Sequence, residues 1–368
     1  MKLKLCKVLC LLSSIGYLSL PQSAQAQGFK GDTVGARRSG IYPLPVFFYT
    51  PETGFAGGAA AIYLHRDTSS AYNRPSDITS DVIYTEKKQV ILEFNGDFYF
   101  ADGDYRLLSD VSYKKYPNSF FGIGNDVPAS ARESYTSETT FGKIVLYRKV
   151  FSDISLAPTF QYESSAIVQT KQGGLLESGG IPGAGGGKVV GAGIVANWDS
   201  RDKTFAAYSG SFYQVTGIVN GRALGSDFAY SDLEIDLRNF YQTYRSQVLA
   251  LQMTSQILSG TPPFQDLARF GGQDFLRGYF DGQYRDKTEI GGQFEYRIPV
   301  WWRFGVVGFA GVAQVADKIS RWSFAEFKFA GGGGIRFVLN REERVSIRLD
   351  MGYGSHSSGT YLTVTEAF

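Results

Sequence analysis

The chain of 368 residues lacks the side chains on which several protein classes depend. Its two cysteines, Cys6 and Cys10, both lie near the start, so the remainder carries no disulfide and no thiolate metal site. With only two histidines besides, we predict no metal centre and no cofactor. Lys and Arg total 37 against 35 Asp and Glu, and this balance leaves no basic excess for nucleic acid.

Long hydrophobic runs are also lacking. Beyond residue 26 no stretch approaches the roughly 18 apolar residues of a transmembrane helix. The first 26 residues instead predict a secretory signal peptide, with Lys2, Lys4 and Lys7 before a short apolar core and Ala24-Gln25-Ala26 as the cleavage site. Residues 27–40 are then a short periplasmic lead, and residues 41–368 form the main domain.

Alternation of polar and apolar residues runs through that domain. It predicts about sixteen strands, each near the ten or so residues of a tilted membrane strand. Short turns, such as 101–104 and 340–343, alternate with long loops, such as 117–132 and 260–287, although the connectors 51–54 and 67–75 break this rule. The predicted fold class is all-β, a transmembrane antiparallel β-barrel.

The polar faces of the strands carry both signs of charge. In the strand at 228–242, Leu233 and Leu237 oppose Asp232, Glu234, Asp236 and Arg238; Glu295, Arg297, Arg348 and Asp350 lie likewise opposite apolar residues. We expect these charges to line a wet lumen. A soluble antiparallel sheet gives the same alternation, but the signal peptide, the strand number, the loop asymmetry and the terminal Phe368 favour the membrane.

Three segments resemble a known family. They are GGQDFLRGY at 271–279, GGQFEYRIPV at 291–300 and YTPETGFAGGAAAIY at 49–63. Together they resemble the barrel domain of the Omp85 superfamily, also called the bacterial surface antigen or D15 domain, over residues 41–368. Because residues 27–40 are too few for a periplasmic POTRA module, the resemblance is to a barrel-only member.

The resemblance implies a loop lock. The long outer loop 260–287 is expected to fold inward, with a motif of Leu276, Arg277, Gly278 and Tyr279 whose arginine pairs with Glu295. The family's second acidic partner belongs to an aromatic-x-Asp-x-Gly motif on the next strand, where this chain has Gly311 and Ala313 instead. Asp350 and Asp236 are the candidate substitutes.

The resemblance also implies a gate between the first and last strands. Pro43 and Pro45 lack the N–H groups that a complete ladder needs, and Phe368 ends the last strand. The prolines fit a weak gate seam and equally fit an irregular start to the barrel.

The leading functional hypothesis is a non-enzymatic outer-membrane barrel of a Gram-negative bacterium, which inserts or translocates proteins or lipids. Its predicted partners are outer-membrane lipid and envelope proteins that deliver clients, without nucleic acid. The alternatives are a passive pore or structural barrel, and an outer-membrane hydrolase using His356 among Ser355, Ser357 and Ser358.

Overall fold

The computed structural model of the protein describes residues 39–65, 76–203, 206–341 and 344–368. The predicted signal peptide and almost all of the predicted lead lie outside these residues. In the described part, no helix has the length and apolar character needed to cross a membrane.

The described strands close into one antiparallel barrel of sixteen strands. Its members are β1 (Gly40–Thr50), β2 (Gly54–His65), β3 (Ser76–Thr85), β4 (Val90–Phe100), β5 (Tyr105–Phe120), β6 (Glu133–Lys149), β7 (Ile154–Gln169), β8 (Gly186–Asp199), β9 (Gly210–Asn220), β10 (Tyr230–Gln242), β11 (Val248–Gly260), β14 (Thr288–Trp301), β15 (Phe304–Ala316), β16 (Lys328–Asn340), β17 (Val345–Gly354) and β18 (Ser358–Val364). Inside the long loop, β12 (Ala268–Phe270) and β13 (Tyr284–Asp286) form a small hairpin. The predicted fold class is confirmed.

Alternation sets the two faces of the wall, since successive side chains of a strand point to opposite sides. On β17, Leu349 and Met351 are exposed, whereas Arg348 and Asp350 between them are buried. On β10, Leu233 is exposed and Asp236 and Arg238 are buried. The outer surface is therefore apolar, as lipid requires, and the lumen holds the charges.

The strand β5 is longer than predicted, because Pro117 and its neighbours continue the ladder with β6 until Phe120 pairs with Glu133. The outer loop that follows β5 shortens accordingly to 121–132. Phe120 and Tyr135 pack edge-on against Phe264 of the long loop, with ring centroids 5.1 and 5.4 Å apart. This apolar contact stabilises the extension of β5 and supports the loop on one side of the barrel.

Candidate functional site: the loop tip and the seam

The tip of the long loop, residues 276–279, has an unusual backbone. Leu276 has φ 51° and Gly278 has φ 123°, and Arg277 bridges to Tyr279. A Cβ atom on Gly278 would lie 2.8 Å from backbone atoms of Tyr353 on β17. Only glycine combines this φ with so close an approach, so this residue brings the tip against the wall.

The Arg277 side chain is completely buried between three strands. Its Nη2 lies 2.6 Å from Oε2 of Glu295 on β14, and its Nη1 donates to Oδ2 of Asp350 on β17. Its Cζ lies 3.6 Å from the centre of the Phe309 ring on β15. Such charge-assisted bonds, with the ring below, fix the guanidinium in both position and orientation.

The missing family aspartate has a physical explanation. A Cβ on Gly311 would lie 2.8 Å from Cβ of Gln293 and 3.1 Å from Cδ1 of Leu276. The tip thus packs a leucine where the family motif places an acid, and the second carboxylate comes from β17. Asp350 is the acid beside Arg277, and the alternative that named Asp236 is corrected.

Asp236 lies on β10 and belongs to another ion pair. Its Oδ2 is 2.6 Å from Nη2 of Arg238, and its Oδ1 accepts a hydrogen bond of 3.1 Å from Gln252. The residue spacing alone did not distinguish it from Asp350, because both point into the lumen.

Sequence reasoning missed two members of the network, Arg336 and Glu366. Nε of Arg336 lies 2.6 Å from Glu366 Oε2, and its Nη1 donates to Asp350. Arg297 Nε lies 2.8 Å from Glu295 Oε1. A signal for Arg336 existed, since it follows the outward-facing Ile335 on β16 and therefore points inward by alternation.

Tyr279 and the serines near His356 bind one another. The Tyr279 hydroxyl donates to the Phe329 carbonyl at 3.0 Å and accepts from the Ser355 N–H at 3.0 Å. The Ser357 hydroxyl donates to the Gly278 carbonyl. Because these serines are bound to the loop tip, their geometry does not support the hydrolase hypothesis.

The loop also contacts both sides of the junction between β18 and β1. The Gly278 N–H donates to the Tyr361 hydroxyl of β18 at 3.2 Å. In the turn between β1 and β2, Glu52 Oε1 accepts from the Asp281 N–H at 3.1 Å. Burial raises the pKa of Glu52 to about 6, with the nearby Asp281 carboxylate contributing.

The junction between β1 and β18, which we call the seam, is thinly paired. Within the described residues its register consists of one pair, Tyr49 with Leu362. By contrast, β1 pairs with β2 along its whole length, from Gly40 with Leu64 to Thr50 with Gly54.

The two prolines point their backbone at this seam. The Thr50 carbonyl accepts from Thr53 in the turn to β2. Because alternate residues of a strand direct their backbone polar groups to the same side, the even positions of β1 face β2 and the odd positions face β18. Pro43 and Pro45 are odd positions, so they offer no N–H on the seam side. The register of Tyr49 with Leu362 places positions 366 and 368 opposite them, beyond Val364 at the end of β18, so this part of β1 has no partner strand at the seam.

Phe368 lies elsewhere, which corrects its assignment to the seam. The strand β18 ends at Val364, and Thr365 has φ 70°, which turns the chain away from the wall. Phe368 is buried in a cluster with Phe240 and Ala250, and its carbonyl accepts from Arg297 Nη2 at 2.9 Å. The last residues therefore run inside the barrel, and the arginines that surround the loop tip also hold them.

Comparison with known proteins identifies the fold. Residues 186–354 match the family model of the Omp85 superfamily domain. Slightly less than half of the chain is therefore similar to this domain, and the protein is an outer-membrane β-barrel protein of a Gram-negative bacterium. The matched range contains the loop tip, Glu295 and Asp350.

Solved structures show the same barrel. BamA from Haemophilus ducreyi lacking POTRA domains 1–3 superposes with a TM-score of 0.63 at 13% identity, covering 89% of this chain and 70% of that one. CdiB from Acinetobacter baumannii gives 0.57 at 11% identity, covering 89% and 59%. CdiB from Escherichia coli gives 0.58 at 8% identity, covering 89% and 63%. The chain thus spans less than two thirds of either CdiB. No curated protein sequence matches it.

Proposed function

We propose that this barrel inserts or translocates proteins or lipids at the outer membrane, without enzymatic chemistry, through a seam between β1 and β18 that opens towards the lipid. The observation that carries the proposal is the seam itself. One registered pair and two prolines that lack seam-facing N–H groups leave few ladder hydrogen bonds to break there. An edge exposed in this way is a template on which another strand can pair.

We propose that the loop tip controls the opening of this seam. Gly278 contacts Tyr361 of β18, and Asp281 contacts Glu52 beside β1, so the loop spans the seam from within. Arg277 fixes the tip through Glu295 and Asp350. Loss of this anchor loosens the two contacts that flank the seam. We propose that outer-membrane lipid meets the opened edge and that other envelope proteins deliver clients to it.

Depletion of the protein in cells, followed by a census of outer-membrane proteins and lipids, tests the proposal. We expect particular components to decline, wild-type protein to restore them and Arg277→Ala to restore them poorly. Asp317→Asn, in an exposed pair of an outer loop, is the matched control and should restore them fully. An unchanged census on depletion would contradict the proposal and favour the passive pore or structural barrel.

A further inference from the structure

Beside the loop, the lumen encloses a cavity of about 400 Å³. Its wall is strongly acidic: ten carboxylates line it, against the four cations Lys114, Lys143, Arg238 and Arg269. Two of these cations are held by acids that do not relieve the excess at the centre. Arg238 Nη2 lies 2.6 Å from Asp236, which is outside the lining, so this pair neutralises none of the ten acids. Arg269 Nε lies 3.4 Å from Asp281 at the loop side of the lining, so this pair neutralises one of them, away from the centre.

In the described part of the wall, one buried lining carboxylate has no matching charge, and a second has an oxygen without a hydrogen-bond partner. Glu289 is 4% exposed, and its oxygen accepts from Thr254 Oγ1 at 3.3 Å, with no ion pair among the described residues. Glu93 is 6% exposed, and although its Oε1 lies 2.9 Å from Lys114, its Oε2 has no hydrogen-bond partner in the described part of the chain. Next to it across the β3–β4 ladder, both oxygens of the buried Asp81 also lack one.

An ionised carboxylate that is buried without a counter-charge is strongly disfavoured, so it either takes up a proton or attracts a cation. A bound cation favours the ionised form of such acids. The acids come from distant parts of the wall, with Glu93 on β4, Glu163 on β7, Asp232 on β10 and Glu289 on β14. Within the described residues no three His, Asp or Glu side chains converge closely enough to hold a metal ion. The wall therefore suits a ligand whose positive charges are spaced along its length.

From this arrangement we infer that the cavity binds a linear organic polycation of the polyamine class. Its volume falls in the usual range for small-molecule pockets, roughly 300–1,000 Å³. Ammonium groups separated by methylene chains reach Glu163, Asp232 and Glu289 in turn. The methylenes lie against apolar lining such as Phe141 and Ile91, and the ring of Tyr230 offers a cation–π face.

Isothermal titration of the full chain, refolded in detergent free of lipopolysaccharide, tests the inference with spermine, butylamine and Mg²⁺ as probes. We expect saturable spermine binding at neutral pH and much weaker binding of butylamine and Mg²⁺. The double variant Glu163→Gln with Glu289→Gln should weaken spermine binding at least tenfold. Asp317→Asn, which removes an acid from an exposed loop, should leave the affinity unchanged.

Heat-modifiable migration on gels confirms that each variant is folded, since neutral glutamines remove charge and keep the side-chain shape. Three outcomes would overturn the inference. They are the absence of saturable spermine binding, equal affinity in the folded double variant, and Mg²⁺ binding as tight as spermine binding. The last would indicate a site for small inorganic cations.

Discussion

Replacing Arg277 by alanine is the most informative perturbation of the loop anchor. The change removes two charge-assisted bonds, each worth about 1.5–3 kcal/mol. Glu295 keeps its ion pair with Arg297 at 2.8 Å, and Asp350 keeps its ion pair with Arg336, so neither acid loses all of its basic partners. Because both acids re-pair, we expect docking of the tip to weaken by less than the roughly 3–6 kcal/mol of the two bonds together, by about 2–4 kcal/mol, a factor of roughly 30 to 1,000 in the docking equilibrium.

Hydrogen exchange of residues 268–287 measures this equilibrium directly. In Arg277→Ala these amides should exchange faster by the stated factor, while amides of β5 and β6 stay protected and the barrel keeps its heat resistance. Arg277→Lys keeps the charge but not the bidentate hydrogen bonding of the guanidinium, so its exchange rates should lie between those of the wild type and of Arg277→Ala. Exchange in the alanine variant within about threefold of wild type would refute the reasoning.

A double reversal, Arg277→Glu with Glu295→Arg, should fail to rescue docking. The introduced glutamate would face Asp350, and the introduced arginine would face Arg297 and Arg336. Recovery of wild-type exchange by this variant would mean that the pair acts in isolation from the surrounding network.

Three further changes have defined outcomes. Gly278→Ala places a Cβ 2.8 Å from the Tyr353 backbone at a φ of 123°, so loop exchange should accelerate at least tenfold; Gly185→Ala, with open space around its Cβ, should change nothing, and equal effects would contradict the argument. Glu366→Gln removes the ion pair between the C-terminal segment and Arg336 of β16, so carboxypeptidase should trim the C-terminus faster. Unchanged trimming would contradict a role of this ion pair in holding the C-terminus. The pKa of Glu52 is raised from 4.5 to about 6, so the contribution of Glu52 to stability is most favourable below pH 4.5 and is lost as pH rises through 6. Glu52→Gln should therefore stabilise the loop by up to about 2 kcal/mol at pH 7.5 and have little effect at pH 4. A stabilisation of equal size at the two pH values would contradict the raised pKa.

Most of the fold could be predicted from the sequence, because the alternation of polar and apolar residues is a local signal. Each strand shows its two faces independently of its partners, so strand number, lumen charges and the inward position of Glu295 could be read from short windows. The extension of β5 could not be read in this way, since it depends on Phe264, which is remote in sequence and packs on Phe120.

The remaining differences arise from geometry around the barrel. Asp350 and Asp236 have equivalent local patterns, and only the closed circumference brings β17, and not β10, beside Arg277. The path of Phe368 depends on the positive φ of Thr365, a residue type that gives no such signal. Alternation continued past Val364 would have kept the terminal residue on the wall.

The central claim, that the seam opens, is tested most directly by closing it. The only natural cysteines, Cys6 and Cys10, lie in the predicted signal peptide, so a cysteine pair at Tyr49 and Leu362, the registered seam partners, reports on the seam alone. A disulfide at Phe94 and Val111, within the continuous β4–β5 ladder, is the control.

In cells depleted of the wild-type protein, the account predicts that the oxidised seam variant fails to restore the outer-membrane census. Reduction should restore it, and the control variant should restore it in either redox state. Full restoration by a seam variant shown to be quantitatively disulfide-bonded would contradict the account.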